Sequence, residues 1–445
     1  MRKFFTGGRG GIMALENDNT PAESEGVVED AANSAETALL EVNEETAEGE
    51  TAEAAVDEAV EAVSSLESYL VALEAANAEG GLSRSGAAVM NIGLEHIYSR
   101  LGYEKGETAV VSLENFGQNS SRAGATQIAM EGVKEKIKEI WAAIISHIKK
   151  AIEWIKGHFA KIFGAAEKLE KRAKALSEAS KGISGQPKEK SFENERLVKA
   201  LHIDGNIPGS VSAQLAQITK TADAVFTGLA DFNAKGADKL LEEMGKTDGK
   251  VDQIAAIPLG SIAGMGEVTN PEGAGFSKPT DGLTLYRGLK LMGNRTVIVE
   301  AAKSAVTGEA AVNAASKSSV AVGAYDPKAK DPTKTTVTVV DPGEVGKIAD
   351  EVAVMAREVI KYKAKLPKAG DLKAKIVAAA ERAGKEALTE EDKGKAAYHS
   401  AMQKIATNTV NNLDRAPAAM ASYVLNTGKA ALDLAEQSLK QYTTK

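Results

Sequence analysis

Between residues 133 and 162 the chain places Val133, Ile137, Ile140, Ile144, Ile148, Ile152, Ile155, Phe159 and Ile162 at steps of three or four. Eight steps over 29 positions average close to 3.6, the period of one face of an α-helix. Trp141, Ile145 and Phe163 widen the stripe. A helix is predicted over 132–178, with Gly157 and Gly164 as possible points of interruption.

Weaker periodicity flanks this segment. Residues 17–62 are almost entirely Ala, Glu, Asp, Thr, Ser, Val and Asn. They offer too little apolar bulk to offset chain entropy, and read as disordered or transiently helical. Leu66, Leu70 and Leu73 share a helical face within 64–79, and Met90, Leu94, Ile97 and Leu101 suggest a second small helix. Residues 114–126 are polar and read as a linker. Gly182, Gly185 and Pro187 mark a loop over 180–192, helical spacing resumes over 193–246, and 258–280 is Gly- and Pro-rich and irregular.

The period then changes. Leu283–Tyr286 and Thr296–Val299 flank Gly293-Asn294 as a hairpin, and 320–322 and 335–340 offer two more strands. After Asp341-Pro342-Gly343, Val345, Ile348, Val352, Met355, Val359 and Tyr362 return to steps of three and four. Further helices are expected near 371–387, 391–412 and 416–441. The fold class is therefore α+β and predominantly α-helical: a helical body, one small antiparallel sheet insertion, and a disordered acidic N-terminal segment. The expected division is 1–131 acidic segment, 132–180 basic amphipathic helix, 181–280 helical and irregular, 281–342 sheet, and 343–445 C-terminal helices.

Charge sharpens this division. The net charge of −8 conceals 24 acidic and 7 basic side chains in residues 1–131, a net of −17. The remainder carries 38 acidic and 47 basic side chains, a net of +9. An acidic segment joined to a basic body implies masking, and a polyanionic partner for the body. The absence of Cys excludes disulfide frameworks, thiolate catalysis and Cys-ligated zinc. No uncharged apolar run is long enough to span a bilayer. Met1-Arg2-Lys3-Phe4-Phe5 runs into Gly7-Gly8-Arg9-Gly10-Gly11 without an apolar core, so it is not read as a secretory signal, and Met13 is an alternative start.

The residues that carry most chemistry form no constellation. His96, His147, His158, His202 and His399 are scattered. His147 and His158 share one helix but stand roughly 16 Å apart at 1.5 Å per residue, too far for one metal ion. They are read as boundary or surface histidines. Gly260-Ser261-Ile262-Ala263-Gly264-Met265-Gly266 lacks the flanking strand and helix of a phosphate-binding loop and reads as a turn. No nucleophile elbow, His-Glu-x-x-His or Walker sequence occurs. Asn119-Ser120-Ser121 and Asn294-Arg295-Thr296 match glycosylation acceptors by chance. No cofactor, metal or catalysis is expected.

One recurrent tripeptide remains, a small residue two positions before Glu. It occurs as Ser65-Leu66-Glu67, Ala72-Leu73-Glu74, Ser112-Leu113-Glu114 and Ala129-Met130-Glu131. An Ala- and Glu-rich segment also produces such tripeptides by composition, as Ala14-Leu15-Glu16 and Ser34-Ala35-Glu36 show. Glu131 stands apart because Gly132 and the basic helix with Trp141 and Trp154 follow at once, where the charge changes sign. This arrangement over roughly 60–180 resembles the internal head proteins of giant tailed phages. The resemblance implies a virion structural protein, trimmed by a prohead protease after Ala-x-Glu or Ser-x-Glu and retained inside the capsid with the genome. It implies cleavage between Glu131 and Gly132, with Glu114 or Glu74 as earlier cuts.

Removing the acidic segment would leave a basic body among packaged DNA, held by phosphate contacts that read no sequence. The candidate contacts are Lys134, Lys136, Lys138, Lys149, Lys150, Lys156, Lys161, Lys168, Lys171, Arg172 and Lys174, unless they are merely the solvated face of a packed helix. Expected partners are other virion proteins, the prohead protease and DNA. Two alternatives stand beside this. A Lys-rich helix with Trp and Phe on its apolar side would suit a membrane interface, as in an ejected protein that aids genome delivery. A capsid or tail assembly protein would keep the acidic arm permanently.

Overall fold

The computed structural model describes residues 23–103, 122–246, 249–254, 262–302, 306–389 and 393–442. It opens with three helices, α1 (Glu23–Ala78), α2 (Arg84–Arg100) and α3 (Arg122–Ser180). β1 (Ser191–Glu193), α4 (Glu195–Leu201) and α5 (Val211–Met244) follow. Then come β2 (Gly266–Glu267), β3 (Leu283–Arg287), β4 (Arg295–Ala302), α6 (Gly308–Lys317), β5 (Ser319–Ala324) and β6 (Thr336–Thr338). α7 (Pro342–Tyr362), α8 (Leu366–Thr389) and α9 (Lys393–Leu439) close the chain. The protein is α+β and mostly helical.

Local sequence explains most boundaries. Ser83 accepts the Gly86 N–H to cap α2, Asn194 accepts the Leu197 N–H to cap α4, and Asp341 accepts the Glu344 N–H to start α7 with Pro342 at its first turn. Gly205, Pro208 and Gly209 break the 193–246 segment into α4 and α5. α3 runs unbroken through Gly157 and Gly164, where a side chain would meet nothing within 4 Å. α9 likewise continues through Pro417, where the expected break between 412 and 416 does not occur. Its surroundings hold the helix although one N–H is lost.

The sheet region departs from expectation in one respect. β2-β3-β4-β5 form an antiparallel sheet, with Leu283 opposite Ala302 and Val297 opposite Val322. The segment expected as a fourth strand, 335–340, instead contributes β6, which pairs with β1 in a separate two-stranded sheet. β1 lies at the edge of a stretch read as loop, and three residues are too short to announce a strand. Gly293 and Asn294, at φ 69° and 51°, make the left-handed turn into β4.

The first 22 residues of the acidic segment lie outside the described residues. From Glu23 onward it is α1, and within 32–103 it contributes Leu39, Val42, Val63, Leu66 and Leu73 to the core, each 2% exposed or less. α1 lies along α3, which packs on its other sides against α7, α8 and α9. Every residue of the α3 stripe is buried except Ile152, which is half-buried. Phe159 meets Tyr362 at 5.6 Å, and Phe226 stacks on Tyr362 at 4.8 Å, joining α3, α7 and α5. α9 is the hub, with Met420, Val424, Leu425, Leu432 and Leu434 sealed from solvent.

Candidate functional site

α1 joins the body through its buried apolar stripe and through three polar locks. Asn43 and Asn426 exchange paired amide hydrogen bonds at 3.0 and 2.7 Å, joining α1 to α9. Glu67 accepts from Ser400 and from Lys404 of α9. The third lock centres on His158 of α3, whose ring is fully buried and stacked on Trp154 at 4.9 Å. Its Nδ1 lies 3.1 Å from Glu45 Oε2, which places the proton there, and its Nε2 lies 3.2 Å from Thr46 Oγ1. The Thr46 hydroxyl is also 2.7 Å from the Val42 carbonyl, so its one proton serves two acceptors.

Burial pushes the His158 pKa down, against the upward pull of Glu45. For Glu45 burial acts upward, but hydrogen bonds and charge from Lys161 and His158 outweigh it, and its pKa falls. These groups were invisible to spacing arguments. His158 reads as one more residue near a helix face, and its partners are more than a hundred positions away.

The tripeptides ending in Glu, the candidate cleavage sequences and the compositional match at 34–36 alike, take a common form. Ser34-Ala35-Glu36, Ser65-Leu66-Glu67 and Ala72-Leu73-Glu74 lie inside α1, and Ala129-Met130-Glu131 lies inside α3. In each the middle residue is buried: Ala35, Leu66 and Leu73 at 0%, Met130 at 8%. A buried apolar residue followed by a more exposed Glu is what an amphipathic helix writes along its edge. Glu131 and Gly132 are exposed, but they sit well inside α3, which begins ten residues before Gly132. The seam expected between a linker and the helix at 131/132 is therefore not there. The first turns of α3 pack on the α1–α2 turn, where the Leu82 N–H donates to Thr126. Glu114 lies outside the described residues, between α2 and α3.

The candidate cations of α3 divide in the same way. Arg172 is buried and donates at 2.8 Å to both Asp433 and Glu436 of α9, so it is a core ion pair rather than a surface contact. Lys161 is tied to Glu45 and Lys149 to Glu381. Lys136, Lys138, Lys156 and Lys174 pair with carboxylates three or four positions away on α3 itself. Among the described residues Lys134, Lys150, Lys168 and Lys171 have no acidic partner within 4.0 Å, and the last three are exposed. α1 supplies carboxylates to the body elsewhere too, Glu36 to Lys429 at 3.4 Å and Glu67 to Lys404 at 2.5 Å.

His202 and His399 are buried with His158, whereas His96 and His147 are exposed. Among the described residues no group of three or more His, Asp or Glu could hold a metal ion, and no helix is long and apolar enough to cross a membrane. The apolar stripe that an interfacial helix would need is packed against α1, α7 and α9.

What these elements define is a helical structural protein whose acidic first helix is locked onto a basic body. The chain belongs to the phiKZ-like phage internal head proteins, whose family model matches residues 37–437. It is a bacteriophage virion structural protein located inside the capsid and associated with other virion components. The match includes most of α1 and all of α2. No curated protein and no solved structure matches the chain.

Proposed function

We infer that the chain is an internal head protein matured by loss of its acidic N-terminal segment and held against packaged DNA. The observation that carries this reading is the placement of α1 carboxylates on body cations: Glu45 on Lys161, Glu67 on Lys404, Glu36 on Lys429. While α1 is present Lys161 and Lys404 are neutralised by it, and removing it releases them to a polyanion; Lys429 stays paired with Asp433 of α9 at 2.8 Å. Lys150, Lys168 and Lys171 add exposed charge on α3.

A protease that reads an extended strand does not cut after Glu74 or Glu131 while they stay in helices, and Glu114, the other candidate, lies outside the described residues. A cut after Glu131 would follow once α1 and α2 no longer hold the first turns of α3. The intact mass and N-terminal sequence of the protein isolated from particles test this, with a chain beginning at Asn115 or Gly132 expected. Binding to duplex DNA should be sequence-independent, fall steeply with salt, and be stronger for the particle-derived form than for the full chain.

One observation favours a second reading. α1 buries Leu39, Val42, Leu66 and Leu73 as deeply as any core helix, which suits a permanent arm in an assembly protein. A full-length chain in the particle, starting at Met1 or Met13, would select that reading.

A further inference from the structure

A cleft of about 980 Å³ with a mixed polar and apolar lining lies beside the His158 lock, with Thr46 at its edge. α4 supplies Arg196, Lys199 and His202, the turn into β4 supplies Asn294 and Arg295, and the segment after β5 supplies Lys330. α9 forms the floor with Ser422, Tyr423 and Asn426. Three carboxylates share the lining: Glu195, Asp326 and Asp331. Glu195 and Asp331 are taken up by Lys199, at 2.9 and 3.5 Å. The Asp326 carboxylate accepts the Lys328 N–H at 2.9 Å. Among the described residues Arg196 reaches only Glu36 of α1, at 4.0 Å. Arg295 and Lys330 have no acidic partner within 4.0 Å among the described residues, and both are exposed.

His202 adds a directional donor. Its Nδ1 accepts the Gly205 N–H at 3.1 Å, so the proton sits on Nε2, and the ring is 95% buried. Burial keeps its pKa below the ordinary value, so it acts as a neutral N–H rather than a charge. The rim is rigidly built. Asp204 and Asn294 are the two non-glycine residues with positive φ among those described, and the Asp204 N–H donates to Asn294 Oδ1 at 2.9 Å. The His202 carbonyl in turn accepts the N–H groups of Gly293 and Asn294.

The geometry points to this cleft as a phosphate-binding site for the backbone of nucleic acid, with Arg295, Lys330 and Arg196 as the charged contacts and His202 Nε2–H as a donor. This rests on the DNA-associated reading above and moves the principal contact from α3 to the α4–β4–α9 cleft. Phosphate is favoured because the site sets three separated cations, Arg196, Arg295 and Lys330, beside the polar groups of Asn294, Ser422 and Asn426. α1 restrains the site without filling it: Thr46 lines one edge and Glu36 draws on Arg196. The full chain should therefore already bind weakly.

The test is a salt series of duplex-DNA binding by the full chain, by R295A/K330A, and by K150A/K168A/K171A on α3, each shown to fold by circular dichroism. All five side chains are exposed, so folding should be preserved. Each lost phosphate contact lowers the slope of log K against log salt by about 0.9, so R295A/K330A should lose about 2. The α3 variant should lose less. A parent that binds while R295A/K330A keeps the parental slope overturns the cleft and leaves DNA association intact. A parent and a particle-derived protein that both fail to bind at low salt overturn the cleft and the DNA reading together.

Discussion

If α1 is part of the core, shaving one buried leucine from it should expose the candidate cleavage tripeptides. Leu66 is fully buried, whereas Leu40 on the same helix is 55% exposed. Leu→Ala in a packed core costs about 3 kcal/mol, and each 1.4 kcal/mol is a factor of ten, so Leu66→Ala should raise the undocked population of α1 on the order of 10²-fold. The readout is limited digestion of the folded full chain by a Glu-specific endoprotease, with fragments weighed by mass spectrometry. The cut to follow is the one after Glu74, whose own tripeptide is unchanged in either variant. Where opening is fast relative to cleavage, the cutting rate follows the open population. Leu66→Ala should therefore be cut at Glu74 on the order of 10²-fold faster than the parent, and Leu40→Ala at nearly the parental rate. Equal rates for all three proteins would mean that α1 is not held by its buried face, and the reasoning would fail.

Other expectations follow from the polar groups. His158 has a folded pKa below 6.5, so its contribution is present above pH 6.5 and is lost as pH falls through that value; Glu45, lowered from 4.5, adds a further loss below pH 4.5. The thermal midpoint should thus fall between pH 7 and 5, and less so in His158→Gln; an identical fall in both would exclude His158 as the source. Arg172→Ala should destabilise by about 1–3 kcal/mol in urea unfolding, because it removes the buried cation and leaves Asp433 and Glu436 with only Lys429 and Lys440 as partners among the described residues. A change under 1 kcal/mol would show that water already screens this pair. Lys373 is buried on α8, and burial with Lys156 nearby lowers its pKa to about 7. Its folded pKa lies below the unfolded 10.5, so it opposes folding increasingly as pH falls from 10.5 to 7. Lys373→Met should raise the thermal midpoint at pH 7, and a lowered midpoint would contradict this.

The helical period of 133–162, the return of that period after Asp341, the 283–299 hairpin and the charge split were all legible in the sequence. Each is a property of neighbours along the chain: a 3.6-residue repeat names a helix before anything packs on it, and a turn dipeptide announces its own hairpin. The tripeptide followed by a basic helix led to the family for a similar reason, since a local motif survives without tertiary context.

What was not legible depended on distant partners. Residues 17–62 are poor in apolar bulk, and taken alone they do not offset the entropy of ordering. A few residues such as Leu39 and Val42 suffice once α3 and α9 supply the opposite wall and Asn426 the opposite amide. Pro417 ends a helix in isolation, but α9 is held on several sides and continues through it. Arg172 looks like any cation on a basic helix until Asp433 and Glu436 are brought beside it from more than 260 positions away. The cleft draws on α1, α4, β4, the segment after β5, and α9, and no pair of those is adjacent in a way that spacing could reveal. Periodicity along the chain determined the α3 and α7 helices and the 283–299 hairpin. Only the tertiary structure decided which charges are consumed internally and which are left to face another molecule, because ion pairing is settled by proximity in space.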